Sequence, residues 1–132
     1  MLAAFCDFAS NTEGKLNLLG VFSAMGSRAV PLTHNVFYLA TKIVADDGDP
    51  INQFFGCDWT LTGPNEKPIQ AWRGQLALAP INHFDGLPAE ANLVLQVEGL
   101  KFEEFGPYTF SLEVQGKTVF TCVLPFMKVE LA

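Results

Sequence analysis

The clearest alternation of apolar and polar residues lies between residues 108 and 115, with apolar side chains at Tyr108, Phe110, Leu112 and Val114. Because side chains in a strand point alternately to two faces, this pattern predicts a half-buried strand. Gly116-Lys117 predicts a tight turn, and residues 118–124 predict a returning strand that Pro125 ends. Residues 92–98 alternate in the same way, so the whole stretch predicts an antiparallel meander.

Five further strands are predicted upstream, at residues 2–8, 15–24, 36–45, 54–62 and 69–79. Gly20 has the parity of the apolar residues around it and is a candidate bulge. The segment 36–45 is apolar on nearly both faces, which is typical of a central strand. The stretches between the strands, at 10–14, 26–35, 46–50, 63–68 and 80–91, are rich in turn-forming residues.

Eight short strands separated by turn signals, with no convincing helical period, are the pattern of a β-sandwich. At 132 residues the chain is long enough to bury a full core without metals or disulfides. We therefore predict an all-β fold: one antiparallel sandwich domain over residues 1–132, immunoglobulin-like or C2-like.

The connection at residues 104–110, Glu-Phe-Gly-Pro-Tyr-Thr-Phe, resembles the acidic-x-Gly-x-Tyr-x-Cys corner of immunoglobulin-like sandwiches. Phe110 stands where those domains have a disulfide cysteine. The resemblance implies that the Tyr108 hydroxyl bonds back to the preceding backbone, and that the core packs without a covalent link.

Charge and composition narrow the classes of function. The formal net charge is −6 and no Lys/Arg cluster offsets it, which disfavours binding to nucleic acid or to anionic membranes. The N-terminal segment lacks a basic region, and Asp7 interrupts its apolar run, so no signal peptide is expected. Cys6, Cys57 and Cys122 are odd in number and lie on apolar faces, as expected of reduced thiols in a cytoplasmic protein.

The two ends of the chain carry a wider resemblance. Residues 5–9 (Phe-Cys-Asp-Phe-Ala), 14–22, 92–99 and 106–110 resemble a family of small uncharacterised bacterial proteins. The resemblance covers most of the chain but consists of strands and turns. It implies a bacterial source and this fold, and it transfers no functional residue.

A metal site has one set of candidates. Asp46, Asp47 and Asp49 form an acidic turn, and Asp85, with Asn82 and His83, could contribute if its loop lies at the same end of the sandwich. Calcium needs six or more oxygen ligands, which some sandwiches gather from such loops. The same residues also make an ordinary solvated turn, and this is the interpretation we adopt, with no metal and no other cofactor.

Other chemistry has little support in the sequence. Trp59 and Trp72 could stack on a carbohydrate, but both share the parity of apolar neighbours, which favours burial. His34 and His83 are the two histidines, and no nucleophile motif accompanies them or the cysteines. We therefore predict neither an enzyme nor a small-molecule ligand, with a calcium- or carbohydrate-binding sandwich as the alternative.

Two segments are candidates for contact with another protein. Residues 102–105 place phenylalanine rings beside two acids, and the alternating tail at residues 126–131 could add a strand to a neighbouring chain. The alternative is that both simply cap the ends of the sandwich. The preferred prediction is a protein that acts through protein–protein contact or self-association.

Overall fold

The computed structural model describes residues 2–46, 48–80 and 87–130. Within them, nine strands form two sheets, ordered β2-β1-β4-β7 and β3-β9-β8-β5-β6. The strands are β1 (Leu2–Thr12), β2 (Lys15–Phe22), β3 (Met25–Ser27), β4 (Leu32–Val44), β5 (Phe54–Thr62), β6 (Pro68–Ala77), β7 (Glu90–Phe102), β8 (Gly106–Val114) and β9 (Lys117–Lys128). A short 3-10 turn at Pro64–Glu66 joins β5 to β6. The predicted all-β sandwich is confirmed.

The core lies between the two sheets and follows the predicted alternation. The inward faces of β5, β7 and β8 are the predicted ones, with Trp59, Val97 and Phe110 all buried. Phe110 is at the centre, with ring contacts to Phe5, Phe37 and Trp72 at centroid distances of 5.5, 6.3 and 6.1 Å. The predicted central position of residues 36–45 is also confirmed, since β4 lies between β1 and β7.

The predicted meander is wrong in one respect. β8 and β9 form a hairpin, but β7 pairs with β4 in the opposite sheet. Residues 103–105 therefore cross from one sheet to the other, and the Tyr108 hydroxyl bonds this crossing, donating to the Glu104 carbonyl at 2.7 Å. The hydrogen bond implied by the corner resemblance is confirmed. The alternation of apolar and polar residues shows which face of a strand is buried, but it does not show which strand pairs with it.

The predicted end of pairing at Pro125 is also wrong. Pro125 lies opposite Pro107, where neither residue has an N–H to donate, and β9 continues to Lys128. Residues 126–128 then pair in parallel with β3, whose last two residues, Gly26 and Ser27, belong to the segment expected to be a loop.

The β1–β2 hairpin bends over the outer face of its own sheet. β1 pairs with β4 only as far as Cys6. The hairpin bends at the next position, where Asp7 lies beside Gly20. The φ of Gly20, +70°, is not that of a regular strand. Beyond it, β1 contacts β7 and β2 contacts β4, although neither pair is adjacent in the sheet. A second small core results, formed by Cys6, Ala9 and Ala40 with Leu16, Leu18, Tyr38 and Val94 around them.

Candidate functional site

The acidic turn is held by its own hydrogen bonds. The Asp46 backbone N–H donates to the Asp49 carboxylate at 2.7 Å, and the Asp49 N–H donates to the Asp46 carbonyl at 3.1 Å. The Asp49 carboxylate therefore acts as a turn acceptor, as aspartates commonly do. Asp47 and Asp85, like Asn82 and His83, lie outside the described residues. Within the described residues, no group of three His, Cys, Asp or Glu side chains could hold a metal ion.

The two tryptophans face the core. Trp59 is 5% exposed, and Trp72, directly opposite it on β6, is half-buried with its ring stacked on Phe110. A sugar platform needs an aromatic face open to solvent. Trp59 has none, and the Trp72 ring is engaged with the core.

The base candidate His34 and the three cysteine candidates for a nucleophile lie in different surroundings. The His34 ring nitrogen Nε2 lies 3.1 Å from the Val36 carbonyl, a local contact on β4. All three cysteines are unbridged. Burial, and to a lesser degree the adjacent Asp7 and Asp58 carboxylates, raise the pKa of Cys6 and Cys57, and burial raises the pKa of Cys122 to about 11. High pKa values keep these thiols protonated and weakly nucleophilic at neutral pH.

An open groove of about 1170 Å³ lies between the tip of the β1–β2 hairpin and the strands β6 and β7. Leu16, Leu76 and Leu93 line it, together with the Lys42–Glu90 ion pair, whose Nζ and Oε1 atoms are 2.9 Å apart. Glu13 and Lys15 also line it, so its two positive and two negative side chains sum to no net charge.

The phenylalanine rings of the two segments predicted to contact a partner pack into the core. Phe102 is buried, and the half-buried Phe105 stacks on Phe126 at a centroid distance of 5.5 Å. Phe126 is itself buried, so the start of the tail belongs to the core. Only Met127 and Val129 of the described tail present apolar side chains to solvent.

The structure instead shows an exposed strand edge on β9, which the sequence interpretation missed. Residues 117–124, hereafter the β9 edge, pair with β8 on one side, whereas β3 covers only residues 126–128 on the other. No backbone partner on that second side occurs among the described ranges 2–46, 48–80 and 87–130. Four apolar side chains on the outward face, the β9 stripe, are exposed by 45–59%: Val119, Val123 and Met127 on the strand and Val129 just beyond its end.

A signal for this edge was present in the sequence. Between Lys117 and Lys128 the chain carries no charge, and Thr, Val and Phe dominate its first half. Such composition favours strands. The sequence does not show whether another strand of the same chain covers this edge.

The comparisons with known proteins give a family. Residues 1–125 match the model of a family of unknown function (DUF6941). No curated protein and no solved structure matches the chain. In the part of the chain that the structure describes, no helix is long and apolar enough to cross a membrane.

Proposed function

Because the chain belongs to the DUF6941 family of unknown function, membership assigns it no activity, and we propose that it acts through protein–protein contact at the β9 edge. In this proposal an extended strand of a partner adds to the sheet beside β9. Its main-chain groups pair with those of residues 117–124, and its side chains pack on the β9 stripe.

The observation that carries the proposal is an unpaired edge and an exposed apolar face on the same strand. Unprotected edges promote association, so natural proteins usually protect them with charges, prolines or bulges. On β9 a register shift places a bulge at Val119, and Pro125 closes the other end. The five residues from Phe120 to Leu124 have none of these protections, so binding of a strand would satisfy their backbone groups.

Family membership also leaves open the enzymatic activity, the cellular compartment and the type of sandwich. We infer a non-enzymatic protein of the bacterial cytoplasm with an immunoglobulin-like sandwich. The strand order supports the last point: β4 pairs with β7 in one sheet, β9-β8-β5-β6 form the other, and the Tyr108 corner begins β8. The two cysteines buried as unbridged thiols are compatible with a reducing compartment.

Site-specific photo-crosslinking in the source cells tests the proposal. A photoreactive side chain at Val123, on the β9 stripe, should give a discrete crosslinked protein product. Ala71 provides the matched control, because it is also exposed on an edge strand of the same sheet but lies on β6. Equal crosslinking from the two positions, or none from Val123, would contradict a role for the β9 edge.

A further inference from the structure

We propose that the strand that pairs with the β9 edge is β9 of a second copy of this chain, antiparallel and related by a two-fold axis at Thr121. This inference rests on the proposed function and names its partner. Three features of β9 carry it: the length of the edge, the order of its side chains and the distribution of charge around it.

The length of the open segment suits self-pairing. It begins after the β8–β9 turn and ends at Pro125, beyond which β3 takes over the pairing. Thr121 is the central residue of 117–125. An axis there lets two copies pair around Thr121, with the Val119 bulge of each copy opposite Val123 of the other, while the β3 strand of each copy lies beyond the end of the other's pairing.

The side chains are self-complementary about the same axis. In this register Val119 of one copy lies opposite Val123 of the other on the outer face, and Phe120 lies opposite Cys122 on the inner face. Thr121 meets its own counterpart, and threonine pairs are favourable across antiparallel strands. The half-buried Phe120 and Cys122 would lose their remaining exposure at the joined edge.

Charge favours β9 over the acidic strands of this surface. Two copies carrying a net charge of −6 repel each other wherever their carboxylates face. From Gln115 to Val129 the chain has no acidic residue, and its only charges are Lys117 and Lys128 near the two ends. Glu113 lies on β8, one strand behind the edge, and Glu130 follows Val129 beyond its end. Two copies can therefore approach here without bringing acidic strands together.

The edges of β6 and β2 compete with β9 in the described residues. On β6 Ile69 is exposed, but Arg73 places a largely solvated charge in the middle of that strand. On β2 Leu19 and Val21 are exposed. That strand is interrupted in its middle by Gly20, at φ +70°, and the Asp7 carboxyl group packs where a Gly20 side chain would project. A kink and an adjacent charge are the features that block edge-to-edge pairing. Residues 120–124 of the β9 edge have neither.

A charge exchange on the proposed axis tests the inference. Thr121 is exposed, so Thr121→Lys and Thr121→Glu should both fold, which a thermal melt checks. We expect the wild-type chain to be a dimer by sedimentation velocity. Each variant alone should dimerise about fivefold or more weakly at low ionic strength, because two like charges meet at the axis. An equimolar mixture of the two variants should dimerise more tightly than either, because opposite charges then meet.

The control is Ala71→Lys, which adds the same charge to the β6 edge and should leave the dimer unchanged. A monomeric wild-type chain, or a mixture no tighter than the separate variants, would overturn the second-copy proposal. If photo-crosslinking at Val123 still gave a product with a different protein, the proposed function would stand and only the identity of its partner would fail. If the wild-type chain were monomeric and Val123 gave no crosslinked product, both the second-copy proposal and the proposed function would be overturned.

Discussion

The side-chain amide of Asn92 donates a 3.0 Å hydrogen bond to the backbone carbonyl of Gly14, 78 residues earlier in the chain. The same Nδ2 group also donates to the Asn11 carboxamide at 3.3 Å. Asn92 lies on the outer face of β7, whereas Asn11 and Gly14 form the tip of the β1–β2 hairpin. These bonds hold the tip of the hairpin against the outer face of the sheet, over the second core that contains Cys6.

Removing this link should loosen the hairpin. Asn92→Ala deletes both hydrogen bonds, at a cost of about 1 kcal/mol, which makes local opening about fivefold more frequent. Since Cys6 is fully buried beneath the hairpin, its modification by a thiol reagent should accelerate by the same factor, as followed by mass spectrometry. Asn17→Ala, an exposed asparagine on β2, should leave the rate unchanged. Equal rates for the two variants would show that Asn92 does not hold the hairpin.

Gly20 should be sensitive to substitution. Its φ of +70° costs an L-residue about 1–2 kcal/mol, and a methyl group there would also displace the Asp7 carboxyl group. We expect Gly20→Ala to lower the free energy of unfolding by this amount in urea denaturation. Gly56→Ala is the comparison, because its β-carbon would meet no atom within 4 Å and its φ is not positive. A neutral Gly20→Ala would mean that the bend does not require glycine.

The Tyr108 hydroxyl should contribute measurably to stability. Tyr108→Phe keeps the buried ring but removes the 2.7 Å bond to the Glu104 carbonyl, and we expect a loss of about 1 kcal/mol. Tyr38→Phe serves as the control, since the described residues offer the Tyr38 hydroxyl no hydrogen-bond partner. Chemical denaturation of both variants measures the difference. If the two lost equal stability, the bond at the sheet crossing would contribute nothing.

The buried thiols should make the protein sensitive to alkali. Burial raises the pKa of Cys122 to about 11, above the value of about 8.5 in an unfolded chain. The folded state therefore holds this proton more tightly between those values. Stability is unaffected by the group below about pH 8 and falls as the pH rises toward 11. Cys122→Val should flatten this decline, measured as the urea midpoint from pH 7 to pH 10.5. An unchanged slope would contradict the assignment of the raised pKa to the half-buried Cys122. The buried Cys6, Cys57 and Tyr108, whose pKa values are also raised, leave a residual slope in either case.

Much of the fold followed from local pattern. Alternation predicted β5 at residues 54–62 and the buried faces of β7 and β8 correctly, because burial of one face imposes a period of two on a strand wherever it lies. The Tyr108 bond was implied by the resemblance to the immunoglobulin-like corner, which depends on a few neighbouring residues. The candidate sites were harder to predict from the sequence. A phenylalanine such as Phe102 or Phe126 gives the same sequence signal whether its ring faces a partner or its own core.

By itself the sequence determined the fold class, the inward face of most strands and the acid-free character of β9. Only the tertiary structure decided which strands are neighbours, because pairing depends on contacts between residues far apart in the chain. It placed β7 beside β4 rather than beside β8, and folded the hairpin over Cys6. It also decided that β3 covers residues 126–128 and stops there. An edge is exposed only where no other segment reaches it, and no local pattern can record that.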